Sequence, residues 1–362
     1  MKKNTRNGKN PSAMDQGISQ NAARHLAGIV SNRIDINNYI SKVGLIVLAI
    51  FVSCFALANG YTDVNTQTKN ISFLAEGSGN KPLDNYKEFK EYLETLWPQC
   101  LGQGYDKAYI SSVINTDVTD IVLETCIGVV YTFDEDYEKA VNWYSKAAEQ
   151  NFSFAQNILG QMNYFGLGVN QNPEKAIEWY TKSAEQNNLE AQYNLGNMYL
   201  FGTGVEQDTA KALEWLYKAG NQKHTKARYQ IGNVLSKILK KYELAATWYE
   251  GAGDYAPAQY SLAQMYINGQ GVTKDINKAI NLYTAAAEQG HMEAQTNLGL
   301  LYFNGQVVDK DYKKAFTWLS KGADQNDFLA QKTLAIMYMQ GWGVEQSDEQ
   351  ADYWLKRSEE NQ

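Results

Sequence analysis

From Ala155 onward the chain repeats itself. The alanines that open a shared pattern fall at 155, 191, 227, 258, 294 and 330, so the steps are 36, 36, 31, 36 and 36 residues. "AQNILGQMNYFGLGVNQNPEKAIEWYTKSAEQ" is the first of these copies and "AQYNLGNMYLFGTGVEQDTAKALEWLYKAG" the second. A fixed period of about 20–50 residues is the mark of a stacked array, in which a unit too small to bury its own apolar side is covered by its neighbours. The chain is thereby directed to an elongated array rather than to one central core.

Each copy holds two helical patterns and a glycine-rich break. In the second copy Leu195, Met198 and Tyr199 recur at i, i+3 and i+4, which predicts a helix from about Ala191 to Phe201. Gly202-Thr203-Gly204 ends it, since glycine takes left-handed backbone angles without a Cβ clash, and Val205 can tuck the loop back under the pair. A second helix is predicted to open at Asp208 or Thr209 and to turn Ala212, Leu213, Trp215, Leu216 and Ala219 inward. Gly160, Gly196, Gly232 and Gly299, with Ala263 and Ala335, stand mid-helix, where glycine destabilises by roughly 1 kcal/mol against alanine. Their recurrence predicts a second backbone close by, with Ala176, Ala212, Ala279 and Ala315 as its small residues. Trp179, Trp215, Trp248, Trp318 and Trp354 share one repeat position and are expected in the core.

The pattern A-x-x-x-L-G-x-x-Y-x-x-G-x-G-V, followed by K-A-x-x-W-Y-x-K-A-A-E, resembles the Sel-one-like repeat, a relative of the tetratricopeptide repeat with a longer loop. The resemblance covers about 155–362, with a degenerate copy at 126–150 and another at 227 that has lost the G-x-G-V loop. It implies an all-α, right-handed superhelical solenoid of antiparallel helix pairs, used as a protein-binding scaffold. The array is expected over 123–362, with repeats starting near 123, 155, 191, 227, 258, 294 and 330, behind an N-terminal helical cap at 84–122.

The first 83 residues differ. Residues 1–42 are polar and basic, with seven Lys or Arg against Asp15 and Asp35, and are expected to be unstructured. "VGLIVLAIFVSCFALA" at 43–58 carries no charge, and 43–60 is read as a membrane-targeting helix, with a flexible linker at 61–83. The tail's net charge of +5 keeps that end in the cytoplasm and sends the repeats to the periplasm or outside. Three fates of the segment stay open: a retained single-pass anchor, cleavage after Ala58 at the A-x-A-like site, or lipidation at Cys54. Cleavage would leave the repeats soluble in the periplasm or secreted. The whole chain carries −7, so the part beyond the tail carries −12, which argues against a nucleic-acid partner. Cys100 and Cys126 lie beyond the segment and could form one bridge in an oxidising compartment, or stay as two buried thiols. Some exported members of the resembled family staple each repeat with a cysteine pair, and those pairs are missing here.

The sequence offers no catalytic constellation. H-E-x-x-H, G-x-S-x-G and P-loop spacings are absent, and the G-x-G loops follow helices whereas phosphate loops follow strands. His224 and His291 each precede a leading alanine by three residues, which predicts a structural role at a turn. No catalytic, cofactor or metal residues and no small-molecule substrate are expected. The expected function is a non-enzymatic scaffold in the bacterial envelope that binds a protein or peptide. An effector or toxin-neutralising protein built on the same solenoid is the alternative, and an envelope enzyme with a site in 61–125 a remoter one. If the first helices line a concave groove, Asn157, Gln161, Tyr164, Tyr193, Asn197, Tyr229, Asn233, Tyr260 and Gln264 face it. Tyr there supplies contact area, and amides can bond the backbone of an extended peptide.

Overall fold

The structure, a computed structural model, describes residues 82–360. The basic tail, the membrane segment at 43–60 with its candidate cleavage site, and almost all of the 61–83 linker therefore lie outside the described residues. Among the described residues no helix is long and apolar enough to cross a membrane.

Among the described residues two helices, α1 (Pro82–Gly102) and α2 (Lys107–Val113), precede seven helix pairs. The pairs are α3 (Ile121–Phe133) with α4 (Tyr137–Glu149), α5 (Ser153–Phe165) with α6 (Pro173–Glu185), and α7 (Leu189–Phe201) with α8 (Thr209–Asn221). The fourth joins α9 (Thr225–Asn233), continued by a π-helical turn at Val234–Ile238, to α10 (Tyr242–Gly251). Then come α11 (Ala256–Asn268) with α12 (Ile276–Glu288), α13 (Met292–Asn304) with α14 (Tyr312–Asp324), and α15 (Phe328–Gln340) with α16 (Asp348–Glu360). This is an all-α solenoid of paired helices.

Side-chain caps fix the start of four of the six first helices two residues ahead of the leading alanine, while Phe152 and Tyr255, at the same place before α5 and α11, make no such bond. Asn188 Oδ1 accepts from Ala191 N–H at 3.0 Å and Asp327 Oδ1 from Ala330 N–H at 2.7 Å. His224 and His291 do the same through Nδ1, at 3.1 Å from Ala227 N and 3.3 Å from Ala294 N, so both histidines are N-caps. Asp208, not Thr209, caps α8, accepting from Ala210 and Lys211 N–H at 3.0 Å. In the loop the two glycines do different jobs. Gly202 ends α7 at φ +69°, whereas a Cβ on Gly204 would lie 2.7 Å from the Pro173 carbonyl carbon, so Gly204 lets the loop rest on the first turn of the preceding second helix.

Packing within a pair departs from the expected backbone seam. A Cβ on Gly160 would meet the Tyr180 ring at 2.6 Å, and one on Gly299 the Leu319 side chain at 2.6 Å. The missing Cβ chiefly makes room for the large residue after the tryptophan position, and close backbone approach is secondary, as at Gly196, 3.2 Å from Ala212 O. The tryptophans also depart from expectation. Only Trp354 is buried; Trp143, Trp179, Trp215 and Trp318 are half-buried, each with a lysine three residues on lying 3.7–4.4 Å from the ring centre, and Trp248 is half-buried with the Tyr217 ring 5.3 Å away. A lysine shields the ring from water and is attracted to its π face, so partial burial suffices.

Pairs are joined by a ladder of glutamines. Gln156, Gln192, Gln295 and Gln331, each beside a leading alanine, donate Nε2 to Ala148, Ala184, Ala287 and Ala323 O of the preceding pair at 2.9–3.2 Å. The glutamine that closes the second helix donates back to the first. Gln186 reaches Gln156 Oε1 at 2.7 Å, Gln289 reaches Gln259 at 2.9 Å and Gln325 reaches Gln295 at 2.8 Å. Buried amides are thus satisfied by repetition, each stapling its own pair and the one before it.

Candidate functional site

The first-helix face is not bare at its N-terminal end. Helix α1 lies against α3 and α5, burying Phe89, Leu93 and Leu96 in one core with Val129, Tyr144 and Leu159. These positions follow i, i+4, i+7, the spacing of one helix face. Cys100 in α1 is joined to Cys126 in α3 by a disulfide with the Cα atoms 5.8 Å apart. Closing that span of 26 residues contributes about 3 kcal/mol in the chain-entropy description.

Beside α1 a cleft of about 290 Å³ opens on to α5 and α7. Tyr92 and Thr95 of α1 form one wall, Gln161, Tyr164 and Phe165 of α5 the floor, and Tyr193, Asn194, Asn197 and Phe201 of α7 the far side. Glu190 and Lys226 stand at its rim.

Unsatisfied polar groups gather here. Among the described residues, the buried side-chain atoms without a hydrogen-bond partner are Tyr92 OH, Asn157 Nδ2, Gln161 Oε1, Asn197 Oδ1, Thr296 Oγ1 and Trp354 Nε1; Tyr92, Gln161 and Asn197 line this cleft, and Asn157 lies beneath Tyr92. Each such group forfeits about 1–3 kcal/mol. Burial drives the Tyr92 hydroxyl well above the usual phenol range, with Glu190 adding to the effect. The Asn157 and Asn188 amides approach and partly offset this, but no hydrogen bond of ordinary geometry reaches the hydroxyl. Burial also works against ionisation of Glu190, yet His224 and Lys226 outweigh it and hold the carboxyl below its ordinary value. His224 Nδ1 is committed to the α9 cap, so Nε2 carries the proton and donates to Glu190 Oε1 at 3.0 Å.

Of the nine residues expected to face a groove, the structure brings Gln161, Tyr164, Tyr193 and Asn197 to this one cleft. Asn157 is fully buried; its Oδ1 accepts from Asn194 at 3.3 Å, and it lies beneath Tyr92 rather than on a surface. Asn233, 1 % exposed, is likewise no surface group: it accepts from the Tyr249 hydroxyl at 2.9 Å and serves the fourth pair internally. Tyr229, Tyr260 and Gln264 are half-buried outside the cleft. Tyr260 OH accepts from Gln264 at 2.9 Å and from Asn297 at 3.0 Å, and burial, with help from Glu293, pushes it up to about 12. Three of the groove tyrosines pack against the N-cap residue of the next first helix: Tyr260 is stacked on His291 at 4.8 Å, Tyr193 is tilted against His224 at 5.1 Å, and Tyr229 meets Tyr255 edge-on at 5.4 Å. Thr95, Phe165, Asn194 and Phe201 join the site without having been foreseen. The foursquare signal for α7 was present, since Tyr193, Asn197 and Phe201 are spaced by four. Nothing in the repeat pattern marks α1 as the second wall. No group of three or more His, Cys, Asp or Glu side chains converges as a metal site among the described residues.

Six segments match the Sel1 repeat family, at 133–152, 153–188, 189–224, 256–291, 293–327 and 329–361. The unmatched gap is the fourth pair. The chain is similar to a Sel1 repeat protein from Oxalobacter formigenes, at 32% identity over 65% of this chain and 96% of that one, with a TM-score of 0.58. It is also similar to c5321, a protective antigen of uropathogenic Escherichia coli displaying an SLR fold, at 29% identity over 82% of this chain and 64% of that one, with a TM-score of 0.59. Comparison with curated protein sequences finds no match.

Proposed function

The chain belongs to the Sel1 repeat family, and from that premise we propose that it is a non-enzymatic scaffold whose first-helix face binds a segment of a partner protein at the cleft beside α1. The observation that carries this reading is the gathering of three unpartnered polar atoms among the residues that line it: Tyr92 OH lacks an acceptor, and Gln161 Oε1 and Asn197 Oδ1 lack donors. A polypeptide backbone supplies both in alternation, and a small outward movement of α1 would let it reach them. The aromatic walls, Tyr164, Phe165, Tyr193 and Phe201, supply contact area at low entropic cost. A preorganised frame of stapled repeats lowers the ordering cost of binding.

The same reading places the scaffold in the bacterial envelope, anchored by 43–60 with the tail in the cytoplasm and the repeats beyond the membrane. Its supports are the uncharged run behind a basic tail and the disulfide, which suits an oxidising compartment.

Full-length protein carrying Gln161→Ala and Asn197→Ala, with an unchanged melting temperature, should recover its partner from detergent-solubilised envelopes at least tenfold less than the native chain. Equal recovery by the two proteins moves the binding site off the cleft, and no specific recovery by either removes the scaffold reading.

A further inference from the structure

The position six residues after each leading alanine, or after Leu123 where α3 has none, changes chemistry along the array. It is Val129 in α3, then Gln161, Asn197, Asn233 and Gln264 in the next four first helices, and then Leu300 and Ile336 in α13 and α15. At the N-terminal end the apolar member has a cover: Val129 is fully buried in the core that α1 builds with Phe89, Leu93 and Leu96. At the C-terminal end no described element covers it. Ile336 is 38 % exposed, and Leu329, two helical turns before it on the same side of α15, is also 38 % exposed, while Leu300 is half-buried beside them in the neighbouring first helix. The polar members between these two ends need no apolar cover.

We propose that Leu300, Leu329 and Ile336 form a second docking surface, which takes an amphipathic helix of a partner protein much as α3 and α5 take α1. The seat continues the face on which a helix is already seen bound, and the repeat position that changes to an aliphatic residue is the one α1 covers in α3. Lys332, between Leu329 and Ile336, lies with its amine 4.0 Å from the Phe328 ring centre, and burial lowers its pKa, with Glu359 offsetting only part of that. A carboxylate on the incoming helix would pair with it, as an amphipathic helix of the α1 type allows: Glu91 and Glu94 stand exposed beside its apolar stripe. The surface is separate from the cleft beside α1, and neither assignment depends on the other.

The probe is a fluorescein-labelled peptide of residues 84–102 with Cys100→Ser, titrated into the full-length chain and followed by anisotropy. Saturable binding with a Kd on the order of 10–100 µM is expected. Leu300→Gln with Ile336→Gln, which gives these positions the amides found in α5 and α11, should fold normally and weaken binding at least tenfold. Gln161→Ala with Asn197→Ala should leave it unchanged. Binding that ignores the Leu300/Ile336 pair, binding lost only through the cleft variant, or no saturation up to about 1 mM each overturns the proposal. So does sedimentation showing a dimer that disappears with Ile336→Gln, since a second copy would then be the occupant.

Discussion

Between α7 and α8 the chain reverses through Gly202-Thr203-Gly204-Val205, and between α9 and α10 it reverses, five residues shorter, through a π-helical turn. In the regular pair the loop rests on the preceding second helix, and Gln192 donates to Ala184 O at 3.1 Å and accepts from Gln222 at 3.4 Å. In the fourth pair no loop reaches back. Leu239 N–H bonds Val234 O at 3.0 Å, Lys240 takes φ 54°, and Lys241 N–H bonds Leu235 O at 2.7 Å. The ladder position holds Arg228, whose Nε donates to Gly220 O at 2.8 Å and whose Nη1 donates to Gly251 O. One guanidinium thereby links the preceding pair and its own pair, as two glutamines do elsewhere. The comparison teaches that a pair can lose its loop and still keep a side-chain bond across the seam to the pair before it.

The largest effect should come from the side chain on which the π turn rests. Tyr249 is buried, meets Gly232 where a Cβ would be, and bonds Asn233 and Ser236. Tyr249→Ala should lower stability by about 3–5 kcal/mol in urea unfolding. Next, Arg228→Ala should cost about 2–3 kcal/mol against about 1 kcal/mol for Gln192→Ala, because two carbonyls lose a charged donor in the first case and one loses a neutral donor in the second. Equal losses would mean that the arginine is no substitute for the ladder. A narrower contrast isolates the hydroxyl: Tyr249→Phe should cost about 1 kcal/mol, while Tyr180→Phe, in a regular pair, should be close to neutral.

The smallest effect concerns a cap. Burial lowers His291 from its ordinary 6.5, and Glu293 only partly restores it. The unfolded chain then takes up the proton more readily, so the stability His291 contributes is full above about pH 6.5 and declines as the pH falls below it. His291→Asn keeps the cap, as Asn188 shows in α7, and should flatten the melting temperature between roughly pH 7 and pH 5. An unchanged slope would assign the acid sensitivity to another group.

Much of the fold was legible because repetition turns weak local signals into phased ones. The period located seven pairs, the glycines located the loops, and the short step at 227 located the irregular pair. The ladder was visible as recurring Ala-Gln and Glu-Gln, yet polar residues at helix ends read as solvent-facing until their partners are placed. The site was harder for a different reason. Position within a repeat says which way Asn157 and Asn233 point, but their burial depends on Tyr92 and Tyr249, one from a helix outside the repeat pattern and one from the second helix of the irregular pair. Four of the five tryptophans expected in the core stay half-buried: Trp179, Trp215, Trp248 and Trp318 pack against the core with one part of the ring, and in all but Trp248 a lysine three places on lies over the ring.

The glutamine ladder also makes the molecule a ruler. Because the same donors and acceptors set each regular step, with Arg228 standing in at the irregular one, the interval from the cleft at α5 and α7 to the aliphatic surface at α13 and α15 is counted in whole helix pairs. Duplication or loss of one repeat would shift that interval by one graduation while leaving the chemistry at both marks intact. A lineage could thus refit the array to a longer or shorter partner without inventing a new contact.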